Sequence, residues 1–415
     1  MSLVAPRSLS FGGRILSVVL ITGVFLTGSA RVRLGPDFAN VVQASPGSAE
    51  LLLPGKPLTR KLAGGETHLY QVQISAEQYL RVVVEQLGID LNVSALAPSG
   101  DTIAQSDLAQ TDRGFEFISA IASDPGIYRF EVRSKRKTDP PASYEIRIDQ
   151  LEAASALNRA ANSAATLIAE ANRLTDRRTK ESTTEAIAKY QQALALSDES
   201  ADVRMKAMVL NKIGRAYFSL GEYRKAPDYH QQALPVARAA SDLQAEAATL
   251  TYIGDAYRLM PEKEKALEYL SQAVQGWQSI EDRRGEVGAL NLLARVYFQM
   301  GDQYKSISTF DRALHLSRVI SDQRLEVDTL GGMGLSYYTL GENEKAAEVW
   351  KRELVLIRAG NETEREARVL GMLGSAHNAL GNREEALDYL GQSLKLFQDK
   401  GDRVGEAGSL QTVGR

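Results

Sequence analysis

The sequence predicts a multi-domain chain in which an all-β sandwich is followed by an all-α solenoid of helical hairpins. Three observations carry this. Residues 48–150 alternate apolar and polar side chains with period two. Residues 152–415 repeat one helical pattern at a constant offset of 40. Proline and glycine punctuate the first stretch, and proline becomes rare in the second.

Composition sets the outer bounds. At 415 residues the chain is long enough for two or three domains. Hydrophobic residues make up 44% and charged residues 24%, ordinary values for a globular protein. A net charge of −3 supplies no basic field to hold nucleic acid. Cysteine is absent, which removes disulfides, zinc–thiolate sites and cysteine nucleophiles from these residues.

In the β region, Tyr70, Val72 and Ile74 alternate with Gln71 and Gln73. Leu80, Val82 and Val84 follow, then Leu91, Val93 and Ala95, then Tyr128, Phe130 and Val132, then Tyr144, Ile146 and Ile148. Such alternation gives each strand one buried and one wet face. Gly64-Gly65, Pro98-Ser99-Gly100, Asp124-Pro125-Gly126 and Pro140-Pro141 supply the turns. About eight strands in about one hundred residues predict a sandwich. Asp101, Asp107 and Asp112 do not have the spacing of a calcium loop and are expected in a solvated turn.

Residues 1–44 are expected to form an export segment and linker. Arg7 and Arg14 are a basic start, Ile15–Leu26 is an apolar run, and Gly28, Ser29 and Ala30 are small. Cleavage after Ala30 or Ala44 would release a periplasmic or extracellular protein. Arg31 and Arg33 keep the alternative of an uncleaved membrane anchor open, although the run is short for a span of roughly 20 residues.

The α region is decided by its repeat. Ile213-Gly214-Arg215-Ala216-Tyr217 returns as Ile253-Gly254-Asp255-Ala256-Tyr257, then Leu293-Ala294-Arg295-Val296-Tyr297, Met333-Gly334-Leu335-Ser336-Tyr337 and Leu373-Gly374-Ser375-Ala376-His377. Turn positions follow at Gly221, Pro261, Gly301, Gly341 and Gly381, and small residues at Ala226, Ala266, Ser306, Ala346 and Ala386. Ala233, Ala273, Ala313, Glu353 and Ser393 complete each unit. Leu210, Ile213, Gly214, Tyr217 and Leu220 share one helical face. Small residues let the two helices of a hairpin approach, with Tyr217 expected to fill the space beside them. A single hairpin cannot bury its own apolar face, so neighbours must stack. A weaker opening unit is expected from Leu167, Ile168, Ala171 and Leu174 in a first helix and Ala186, Tyr190, Ala193 and Leu194 in a second, Pro235 is expected to kink or open a second helix, and the last repeat to be incomplete at Arg415.

The small–aromatic–small–small pattern at Gly214, Tyr217, Ala226 and Ala233 resembles the tetratricopeptide repeat, in a variant longer than the common 34 residues. The resemblance implies a superhelix that binds a protein or peptide in its concave groove. Residues 48–150 resemble the bacterial pre-peptidase C-terminal domain family through Gly65-Glu66, His68-Leu69-Tyr70, Gln78-Tyr79-Leu80-Arg81-Val82, Leu96-Ala97-Pro98-Ser99-Gly100, Gly126-Ile127-Tyr128 and Tyr144-Glu145-Ile146. That resemblance implies a jelly-roll-like accessory module of exported proteins. The order of segments resembles exported bacterial proteins that carry a C-terminal CHAT domain, a caspase-like peptidase module. It implies a Cys/His pair beyond Arg415.

The unpacked face of each first helix is expected to line the groove. It presents Asn211, Arg215 and Phe218, then Asp255 and Arg258, then Asn291, Arg295 and Phe298, then Tyr338, and finally Asn378. An Asn side chain can hold a peptide backbone through donor and acceptor, an Arg can grip a carboxylate, and the aromatics can anchor apolar side chains. His68, His230, His315 and His377 are scattered without metal-ligand spacing, and His377 is expected to pack at a tyrosine position. No nucleophile elbow or phosphate-cradling loop occurs. The sequence therefore predicts a non-enzymatic scaffold with no cofactor and no metal, whose partner is a protein or peptide and not nucleic acid. A membrane enters only through the N-terminal segment. The alternative is the regulatory and substrate-recognition part of a caspase-like peptidase.

Overall fold

The computed structural model describes residues 49–106, 113–137, 141–200, 202–360 and 362–413. The expected export segment, Asp107 and Asp112 lie outside them.

Nine strands among these residues form two sheets. β1 (Glu50–Leu51), β3 (Thr67–Ile74), β8 (Gly126–Ser134), β5 (Leu91–Leu96) and β6 (Thr102–Ser106) lie side by side in that order. The second sheet runs β2 (Leu58–Leu62), β9 (Ala142–Ala153), β4 (Gln78–Leu87), β7 (Arg113–Ile121). Tyr70, Val82, Val93, Phe130 and Ile146 interleave in one core between the sheets, which gives the fold its main apolar burial. The buried Glu116 carboxylate accepts from Gln86 Nε2 at 3.0 Å and Ser106 Oγ at 2.5 Å. A buried polar group persists only when it is bonded in this way.

β7 was not among the expected strands, and its composition shows why. Its inward positions are Gly114, Glu116, Ile118 and Ala120, while Phe115 and Phe117 occupy the opposite face. The aromatic side of this strand is turned away from the sandwich core, and what covers it lies in the helical half.

Thirteen helices follow among the described residues. They pair as α1 (Ala156–Asp176) with α2 (Lys180–Ser200), α3 (Val203–Ser219) with α4 (Ala226–Ala239), and α5 (Leu243–Arg258) with α6 (Lys263–Ser279). α7 (Arg283–Gln299) pairs with α8 (Gln303–Val319), α9 (Gln323–Leu340) with α10 (Asn343–Ala359), and α11 (Thr363–Ala379) with α12 (Arg383–Lys400). α13 (Arg403–Val413) packs on α12. α4 runs unbroken through Pro235, so the expected kink does not interrupt the helix.

The close approach within each hairpin has a definite partner. A Cβ added at Gly214 would lie 2.5 Å from the His230 ring, at Gly254 2.5 Å from Leu270 Cγ, and at Gly334 2.3 Å from Trp350. At Gly374 it would meet Leu390 Cγ at 2.5 Å. The space beside each small residue is thus filled from the second helix, sixteen residues on, and not by Tyr217. That tyrosine instead stacks on Tyr229 at 5.4 Å, as Tyr257 does on Tyr269 at 5.9 Å. Lys225, Lys265, Lys305 and Lys345 each place an ammonium 5.0–5.6 Å from the tyrosine ring of their own repeat. His377 is buried and its ring lies 5.3 Å from Tyr389. Where His replaces Tyr, Glu385 replaces the lysine.

The polar loops between hairpins carry a second period-40 signal. Asp202, Asp242, Asp282 and Asp322 are N-caps, accepting from the backbone N–H of Met205, Ala245, Gly285 and Leu325 at 2.8–3.2 Å. Gly221 and Gly301 turn the chain at φ 77° and 83°, in the left-handed region where a Cβ is costly.

Candidate functional site

First helices form the inner face of the array, and side-chain bonds tie one to the next. Asn211 Nδ2 on α3 donates to Thr249 Oγ1 on α5 at 2.7 Å, and its Oδ1 lies 2.8 Å from His230 Nδ1. One double unit later, Thr329 Oγ1 on α9 donates to Asn291 Oδ1 on α7 at 2.9 Å. Asn211 and Asn291 are both buried. Their amides are used between helices, so the structure does not leave them open to a peptide backbone, as the sequence reading expected. The signal that would have revealed this is the pair of threonines 38 residues downstream. Burial, helped by Arg215, pushes His230 down to about 3, so it stays neutral in this network.

The other expected groove residues separate into two sets. Arg215 is exposed and its guanidinium lies 5.3 Å over the Tyr252 ring. Phe218 turns its half-buried ring edge-on to Tyr223 at 5.3 Å, at the end of its helix. Asp255 and Arg258 neutralise each other at 2.7 Å. Further along, Arg295 is exposed and has no ion-pair partner among the described residues. Burial of its charged group by surrounding protein, with the field of Arg258, lowers its pKa. Phe298 is half-buried and Asn378 is exposed. Tyr338 lies 5.8 Å from Trp350. Leu335, an apolar residue on the same helix as Tyr338, is 41% exposed.

Part of the inner face is covered by the sandwich itself. Arg81 on β4 pairs with Asp202 at the start of α3 at 2.7 Å, and Arg136 reaches Asp322 at the start of α9 at 3.4 Å. Gln244 on α5 donates to the Arg113 carbonyl, and Arg204 lies 5.5 Å over the Phe115 ring. The aromatic face of β7 thus turns toward α1, α3 and α5. Between them a cleft remains. Its apolar part, about 170 Å³, is lined by Phe115, Phe117, Ile168, Met205, Met208 and Tyr252, together with Asn211 and Arg215. A wider polar part of about 880 Å³ adjoins it and shares Asn172, Lys212 and Arg215.

Among the described residues no group of three or more His, Asp or Glu side chains is placed to hold a metal ion. No described helix is long and apolar enough to cross a membrane.

Comparison with known proteins bears on the helical half. One tetratricopeptide repeat model matches residues 175–239, 205–279 and 326–399, and a second matches 287–319. No curated protein matches the chain. Among solved structures the chain is similar to BtubC from P. vanneervenii, at 16% identity and a TM-score of 0.43 over 60% of this chain and 94% of that one. It is also similar to aspartyl phosphate phosphatase F from Bacillus subtilis, at 14% identity and a TM-score of 0.48 over 62% and 79%. A third is a signal transduction ATPase with a tetratricopeptide repeat sensor from Pyrococcus horikoshii, at 18% identity and a TM-score of 0.47 over 60% and 41%.

Proposed function

We propose that this chain, whose helical half is built of tetratricopeptide repeats, is a non-catalytic scaffold that binds a protein or peptide segment on the inner face of α7, α9 and α11. The observation that carries this reading is Arg295, an exposed residue whose partly desolvated guanidinium has no ion-pair partner among the described residues. Leu335 and Tyr338 are on the neighbouring first helix, α9. A cation on one first helix, with an exposed Leu and a half-buried Tyr on the next, suits a segment that presents a carboxylate and an apolar anchor. Asn291, first expected to hold the ligand backbone, has no part in this reading.

Selection of a phage-displayed random peptide library against the protein tests it. Selected peptides are expected to lose about tenfold in affinity for Arg295→Ala and for Tyr338→Ala, the size of one good charged or aromatic contact. They are expected to bind Val355→Ala, altered at an exposed position of the second helix α10, unchanged. No enrichment, or enrichment insensitive to both inner-face variants, would overturn the reading.

Two further readings rest on the sequence. The basic start and apolar run of residues 7–30 support export of the protein, which intact-mass measurement of secreted material checks. The order of sandwich and 40-residue repeats supports a role as the recognition part of a caspase-like peptidase. The reading frame after the codon for Arg415 tests that role.

A further inference from the structure

The cleft between the sandwich and the first three hairpins is a site apart from the open inner face, and neither half of the chain forms it alone. Its two parts differ in chemistry. The apolar part takes Phe115 and Phe117 from β7, Ile168 from α1, and Met205 and Met208 from α3. Its volume of about 170 Å³ is close to the roughly 150 Å³ that admits a benzene ring. It therefore holds one large apolar side chain, whereas a long acyl chain needs several times that space. Met side chains adapt their shape to such a guest.

The wider part is basic. Among the described residues, Lys135, Arg173, Arg178, Lys180, Lys212 and Arg215 line it together with Asp90 and Asp176. Lys135 pairs with Asp90 at 2.8 Å. Arg173, Arg178 and Lys180 are exposed and have no ion-pair partner among the described residues. This excess of positive charge stands on a chain whose net charge is −3, so it is local. Basic walls on a low-dielectric cleft concentrate anionic ligands.

We propose that this cleft binds an acidic peptide segment, seating one large apolar side chain among Phe117, Met205 and Met208 and its carboxylates on Arg173, Arg178 and Lys180. The geometry requires the apolar residue and the acidic residues to be close in sequence, because the two parts of the cleft share lining residues.

The test is fluorescence anisotropy with a labelled Asp-Glu-Phe-Glu-Asp peptide, compared with Lys-Lys-Phe-Lys-Lys and Asp-Glu-Gly-Glu-Asp. The first is expected to bind, and to bind less tightly as salt is raised. Arg173→Glu combined with Lys180→Glu, both exposed and so harmless to folding, is expected to weaken it at least about tenfold. Phe117→Ala is expected to weaken it to the level of the glycine peptide, with circular dichroism confirming the fold. Arg295→Ala and Tyr338→Ala are expected to leave this probe unaffected, which separates the cleft from the open inner face. Equal binding of the basic or glycine peptide, no binding of the acidic one, or unchanged affinity in the charge-reversed variant would overturn the proposal. So would a cleft that takes a long-chain fatty acid and no peptide.

Discussion

Glu353 shows how one substitution reshapes a repeat. It stands where other units carry Ala233, Ala273, Ala313 and Ser393. Its side chain lies against Gly331, where a Cβ would come within 3.0 Å of Oε1. Gly331 in turn stands where Asn211 and Asn291 stand in their repeats, so a missing side chain on one helix makes room for a carboxyl on the next. Burial pushes Glu353 up to about 8, against the pull of Arg365 and Arg295 and with Asp328 pushing the same way. The folded protein therefore keeps a proton that the unfolded chain releases above 4.5. Stability from this group is present below that value and is lost as pH rises toward 8, by at most about 1.4 kcal/mol per pH unit. Glu353→Gln is expected to flatten that slope, so that its advantage over the parent protein grows from pH 5 to pH 8 in urea melts. A constant difference across that range would show that Glu353 is ionised in the fold. The exceptional nature of this position was visible in the sequence, since Glu broke a small-residue pattern. The roles of Asn211 and Asn291 were not, because an amide reads alike whether it meets a ligand or a threonine 38 residues away.

At the scale of elements, the 40-residue period was legible because its small and aromatic residues keep their chemical type. The residues that fill the hairpins were not, because His230, Leu270, Phe310, Trp350 and Leu390 share a position without sharing a character. β7 escaped for a related reason, since Gly114 and Glu116 face inward and the aromatics face out. The N-cap aspartates were present in the sequence as turn residues, and their caps explain the sharp starts of the first helices. Asp282→Ala is expected to cost about 1 kcal/mol, up to about 2, in a denaturant melt. Glu362 holds the same place before α11 with no side-chain cap bond, so Glu362→Asp is expected to stabilise by a few tenths to about 1 kcal/mol. If neither change moves the midpoint, the caps do not contribute to the stability of the array. Local gains of this kind spread along a repeat protein through neighbouring interfaces.

At the scale of the whole molecule, the unforeseen feature is the docking of the sandwich on the array. Arg81 and Asp202 meet across 121 positions of sequence, and Arg136 and Asp322 across 186. The repeat pattern does not encode such a pairing, because each joins two elements that fold for other reasons, and Asp322 is held as well by Arg284 of its own array at 2.7 Å. The consequence for function is a division of the inner face. The start of the array, with Asn211 and Arg215, faces the sandwich across the cleft. Beyond it stand α7, α9 and α11, which carry Arg295, Leu335, Tyr338 and Asn378.

Hydrogen exchange with and without a library-selected peptide shows whether this second region receives a partner segment. Exchange is expected to slow in α7, α9 and α11, with α8, α10 and α12 unchanged. Protection confined to the second helices, or to α1 and α3 beside the sandwich, would contradict it.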